Sequence, residues 1–138
     1  MTESELSLLD RLYWNLAKAH APFGVTVERI TAPPEDFEVH SCGETGVLAF
    51  LGDYVLVAFP EQPDPAAARE VVRLLRRRLE ERGVTRHMVH PLNFRSVIAT
   101  RKLGATPKGK DADGFVHYEL TLERFCRHGK EKRPAEGT

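Results

Sequence analysis

The chain has 138 residues, 41% of them hydrophobic and 29% charged, with 20 basic residues balanced by 20 acidic ones. That is enough chain to bury a core within one domain, and a net charge of zero excludes a global pull toward nucleic acid or an anionic membrane. No apolar run is long enough to span a bilayer, and the opening residues MTESELSLLD carry acids where a secretory signal carries bases.

In chain order, Ser4 to about His20 reads as a helix, with Leu6, Leu9, Leu12, Tyr13, Leu16 and Ala17 at helical spacing on one face. Thr2 and Glu5 resemble a capping box, and Pro22 and Gly24 close the segment. Val25–Ile30 fits a short strand, and Thr31 to Pro34 a loop. Three strands follow at Phe37–Cys42, Gly46–Leu51 and Tyr54–Phe59, the last two joined by a tight turn at Gly52-Asp53. The runs VLAFL and YVLVAF are almost continuously apolar, which predicts burial on both faces.

Asp64-Pro65 opens the clearest helix, with Asp as cap and Pro at the first helical position. Ala68, Val71, Val72, Leu75 and Leu79 form its expected buried stripe, and Arg76, Arg77, Arg78 and Arg82 crowd its last turns before Gly83. Thr85–Val89 is a strand, and Asn93 caps a helix that runs to Leu103 and stops at Gly104. Strand-like pieces at Ala105–Pro107 and Phe115–Leu122 flank a polar, turn-like Lys108–Gly114. The order predicts an α/β (α+β) domain over residues 1–128, with a mixed, mostly antiparallel sheet flanked by helices. Residues 129–138 lack apolar anchors and read as a disordered tail. Cys42 and Cys126 show no ligand spacing and are expected as reduced thiols in a cytoplasmic protein.

The stretch Asn93-Phe-Arg-Ser96-Val-Ile-Ala-Thr100-Arg-Lys102-Leu103-Gly104-Ala105 resembles the N-x-x-A-x-x-L-Y-x-K-L-G-F pattern of GNAT-type N-acyltransferases. In that family the Asn contacts the pantetheine arm of acetyl-CoA, and the Tyr protonates the departing thiolate. The resemblance therefore implies Asn93 as a cofactor contact. Thr100 stands at the general-acid position, where its hydroxyl is far less acidic than a phenol of pKa about 10. It also implies that a backbone N–H near Val57 to Phe59 would polarise the thioester carbonyl. His40, beside Glu38 on a central strand, is the candidate base.

The family's pyrophosphate loop, Q/R-x-x-G-x-G/A, corresponds here to Gln62-Pro63-Asp64-Pro65-Ala66-Ala67. Pro63 and Pro65 lack a backbone N–H, and Asp64 puts a negative charge at the mouth of an anion site. The N–H groups of Ala66, Ala67 and Ala68 are left to hold a diphosphate. The implied cofactor is therefore none, or acetyl-CoA held weakly.

With Leu103-Gly104-Ala105 and the Asp113-Gly114 turn before a final aromatic strand, the chain resembles the small GNAT-like internal virion proteins of short-tailed bacteriophages. That resemblance implies a non-catalytic role in virion assembly, with virion or host proteins as partners, in the host cytoplasm or the virion. Two alternatives stay open. One is an acetyl-CoA-dependent N-acetyltransferase. The other is a nucleic-acid or protein-binding module that uses Arg69, Arg73, Arg76, Arg77, Arg78 and Arg82. The bland counterparts are Asn93 as a helix cap, the arginines as a solvated face, and Tyr13 and Trp14 as core or interface aromatics. His87 and His90 lie three apart on a strand and point to opposite faces, so no shared metal is expected, and no membrane partner either.

Overall fold

A computed structural model of the chain describes residues 1–132, and side chains as far as His128. The fold is α+β, with four α-helices and six strands among the described residues. Contacts cluster into two compact units, Met1–Leu74 and Leu75–Thr138.

The first unit opens with α1 (Glu3–His20), whose start is fixed by the expected capping box between Thr2 and Glu5. A 3-10 turn, Ala21–Phe23, ends it. Strands β1 (Glu38–Cys42), β2 (Gly46–Leu51) and β3 (Tyr54–Ala58) form an antiparallel meander, with His40 opposite Leu48 and Leu48 opposite Val57. One face of the meander is covered by α1. Leu9 and Leu12 pack there on Val47, Ala49 and Ala58, with Leu8, Leu16 and Val39 at the margin.

Asn15 sits in the same buried layer and donates from Nδ2 to the carbonyl oxygens of Thr45 (2.9 Å) and Ala58 (3.2 Å). It thereby ties α1 to the β1–β2 turn at Thr45 and to the end of β3 at Ala58. Asn15→Ala removes both hydrogen bonds, and the expected loss is about 2 kcal/mol, read as a lowered urea midpoint at unchanged slope.

Three sequence expectations change in this unit. Val25–Ile30 is not a strand; its alternating apolar residues have no paired backbone beside them. Leu6, expected on the core face of α1, is 54% exposed, because Leu8, Leu9, Leu12 and Leu16 supply the packed stripe. In α2 (Pro65–Arg82), which carries the boundary between the units, the buried residues are Ala67, Leu74, Leu75, Arg78 and Leu79. Val72 is exposed, so the stripe is rotated by about one residue from the expected one.

The second unit holds β4 (Val84–Val89), α3 (Phe94–Lys102), β5 (Thr106–Lys110), β6 (Val116–Thr121) and α4 (Leu122–Lys132). Strand β6 lies between β4 and β5, antiparallel to both, with a register shift between Pro107 and Gly109. Leu79, Val89, Ala105, Tyr118, Leu120 and Phe125 form its core, and Val97, Leu103 and Leu122 pack against it. Strand β5 reaches Lys110, so much of the expected polar turn is strand. Helix α4 is a second departure. Thr121 caps it by accepting from the Arg124 N–H (3.3 Å), and Phe125 anchors it in the core. It covers positions 129–132, where a tail was expected, and positions 133–138 lie outside the described residues.

Candidate functional site

The sequence places the anion site at the N-terminus of α2, and the first unit gives its geometry. Asp64 caps the helix: its Oδ1 accepts the Ala67 N–H at 2.8 Å, and its backbone carbonyl accepts the Ala68 N–H at 3.0 Å. Of the three amides left after Pro63 and Pro65, two are thus held by Asp64 itself. Ala66 N–H alone has no such partner among the described residues.

Steric closure adds to this. Ala67 is buried, and a β-carbon built on Gly43, in the β1–β2 turn at φ +65°, would lie 3.0 Å from the Ala67 methyl. The turn therefore seats against the first turn of α2 where a phosphate would approach. Gln62 is exposed in the preceding loop. Asp64→Ala removes the cap, with an expected cost of about 1 kcal/mol in thermal or urea unfolding.

His40, Glu38 and Cys42 alternate along β1 and share the face opposite α1. His40 Nε2 lies 3.1 Å from Glu38 Oε2, and its ring packs edge-on to Phe50 at 6.4 Å. Glu70, on the second turn of α2, lies within the electrostatic reach of His40; its carboxyl is held below the usual range by its hydrogen bond from Arg73. Cys42 is fully buried, and burial pushes its thiol up to about 11. It stays protonated at neutral pH and is no nucleophile.

Val57 pairs within the β2–β3 ladder, and the Phe59 ring lies directly over Gly46. Phe59 is therefore committed to packing. In the first unit, then, His40, Phe59 and the α2 start are all present, but each is engaged by its neighbours.

The other two candidates belong to the second unit. Asn93 Oδ1 accepts the Ser96 N–H at 3.4 Å, so the side chain caps α3. Thr100 is buried on α3, and its carbonyl accepts from Ala105 N–H at 3.4 Å in the turn that closes the helix. Gly104, at φ +102°, completes that turn.

No protein-family model matches the chain, and no curated protein matches it.

The arginine cluster forms the expected solvated face at Arg69, Arg73, Arg76 and Arg82, all exposed, with one buried exception. Arg78 is 2% exposed. Arg73 is bound by Glu70, Arg77 lies 3.7 Å from Glu81, and the Arg76 guanidinium sits over the Phe125 ring at 5.2 Å. Tyr13 and Trp14 are likewise engaged, with the Arg29 guanidinium 4.2 Å from the Tyr13 ring centre and bound to Asp10. His87 is buried while His90 packs edge-on against Phe115, and no group of three or more metal-binding side chains occurs among the described residues.

One pair escaped the sequence reading. His117 Nε2 lies 2.8 Å from Asp111 Oδ2, and Asp111 Oδ1 accepts the N–H groups of Asp113 and Phe115. The hydrogen bond from His117 keeps the Asp111 carboxyl below its ordinary range. The pair fastens the β5–β6 turn. Its signal in the sequence was Asp111 two residues before Asp113-Gly114, a side chain placed to accept from a turn backbone.

Proposed function

We propose that the chain is a GNAT-like domain whose acyl-CoA site is closed by its own groups, and that it works as a non-catalytic binding or assembly protein. The observation that carries this reading is Asp64. It stands between two prolines at the helix terminus, neutralises the local positive end of the dipole, and occupies two of the remaining amides. A diphosphate arriving there would meet a carboxylate in place of amide donors.

The candidates for catalysis support the same reading. Thr100 is a weak acid inside a helix–core contact, and His40 faces a carboxylate rather than a cysteine or serine it could activate. Among the described residues no helix is long and apolar enough to cross a membrane. The assembly role in a bacteriophage, with virion or host proteins as partners in the host cytoplasm or virion, comes from the sequence resemblance.

The nucleic-acid alternative draws less support, since Arg73, Arg76, Arg77 and Arg78 are buried or engaged. The acetyltransferase alternative retains only the Ala66 amide and Asn93. The test is an amide-resolved NMR titration with coenzyme A. The expected result is no saturable shift at Ala66, Ala67 or Ala68; saturable shifts there would refute the closed site.

A further inference from the structure

Helix α3 presents an apolar face to solvent. Phe94 is 69% exposed and Ile98 53%, one turn apart on the same side, with Leu92 just before the cap at 48%. The opposite side is already used: Val97 and Leu103 pack into the core of the second unit, and Thr100 is buried. The exposed residues are therefore not displaced core residues, and the helix has apolar groups on two sides.

The charge near them in the sequence is one-sided. Between positions 91 and 110 the chain carries Arg95, Arg101, Lys102, Lys108 and Lys110 and not one Asp or Glu, in a protein whose total charge is zero. On α3, Arg101 continues the Phe94–Ile98 row one turn further, and Arg95 and Lys102 form the adjacent row. The exposed hydrophobic side chains cost solvation, the cations beside them on the helix repel one another, and both penalties are relieved by the same kind of ligand.

We propose that this face of α3 is a docking surface for an acidic helical segment of a partner protein. Apolar anchors of that segment would cover Leu92, Phe94 and Ile98, while its carboxylates meet Arg95, Arg101 and Lys102. The spacing of Phe94 and Ile98 is that of helix-against-helix recognition.

Other occupants fit less well. A nucleic acid would use the cations but gain nothing from Ile98 and Leu92. Three side chains bury less apolar surface than a single myristoyl chain, which by itself holds a membrane only marginally. A second copy of the chain would offer the exposed Leu6 of α1, but two of the three acids near it are engaged, Glu5 in the capping box and Asp10 by Arg29, which leaves Glu3 alone to meet three cations. This inference stands apart from the acyl-CoA question, since it uses no residue of the α2 terminus.

The probe is a synthetic helical peptide of roughly 20 residues, with Leu and Phe at helical spacing and Glu between them, beside a counterpart with Lys for Glu. By fluorescence anisotropy the Glu peptide binds saturably, and high salt weakens it. The double substitution Phe94→Ser/Ile98→Ser lowers affinity at least about tenfold with an unchanged circular dichroism spectrum. Arg95→Glu/Lys102→Glu transfers preference to the Lys peptide. Absent binding, equal binding of the two peptides, or indifference to Phe94→Ser/Ile98→Ser would overturn the assignment. So would anionic vesicles, an oligonucleotide, or self-association of the chain engaging this face in preference to the Glu peptide.

Discussion

Lowering the pH from 6.5 to 4 is expected to cost this protein about 3 kcal/mol of stability through His87 alone. The imidazole is buried on β4, next to Thr85, whose Oγ1 lies 3.0 Å from Nε2, and burial lowers its pKa from 6.5 to about 4. The sign follows from proton binding. Between those two values the unfolded chain carries a proton on His87 and the folded chain does not, so acid favours unfolding. The contribution is fully present above the unfolded value and is lost as pH falls toward the folded one. Urea midpoints taken across this window fall steadily in the parent protein. In His87→Phe the dependence is flatter, and a parallel slope in the two proteins would show that His87 is not its source. Asp111 acts in a lower window, since its depressed carboxyl contributes above its ordinary value of 3.8 and is lost below it.

Gly46→Ala is the second large effect, with an expected loss of about 3 kcal/mol. A β-carbon at this position would overlap the Phe59 ring and come within 2.6 Å of the Cys42 carbonyl oxygen. The ring follows β3 and can swing. The carbonyl belongs to β1, held in register by the Cys42–Gly46 pair, and has nowhere to go. Phe59→Ala therefore rescues only part of the loss. In a double-mutant cycle, Gly46→Ala and Phe59→Ala couple by a measurable fraction, and the residual belongs to the backbone clash. Full additivity would mean that Phe59 does not sit over Gly46.

The elements with local punctuation are legible in the sequence. The Thr2/Glu5 capping box, Asp64-Pro65, the Gly52-Asp53 turn and the Asn93 cap each specify a boundary through groups a few residues apart, and each boundary lies where expected. The misplaced features depend on partners distant in sequence. Val25–Ile30 alternates like a strand, but a strand needs a neighbour with unpaired backbone. Leu6 and Val72 fit helical periodicity, yet one residue rotates a helix by about 100°, and only the packed surface decides which of two adjacent residues is inside. Arg78 was hidden within a run of charges. Helix α4 was hidden by a polar sequence in which, among the described side chains, Leu122, Phe125 and Cys126 are the anchors.

The candidate site divides the same way. That Pro63, Asp64 and Pro65 disturb an anion site is visible in the letters. That Asp64 turns inward to take the Ala67 amide, and that Gly43 seats the β1–β2 turn against that residue, requires the fold. The exposure of Phe94 and Ile98 is equally a tertiary fact, since nothing in their spacing separates an inner face from an outer one.

Isothermal calorimetry with acetyl-CoA, on the full chain at neutral pH and low salt, addresses the closed site most directly. No saturable heat at ligand concentrations up to the millimolar range is the expected outcome, and Asn93→Ala leaves the trace unchanged. Saturable binding with a micromolar Kd, lost in Asn93→Ala while its helix content is retained, would contradict it.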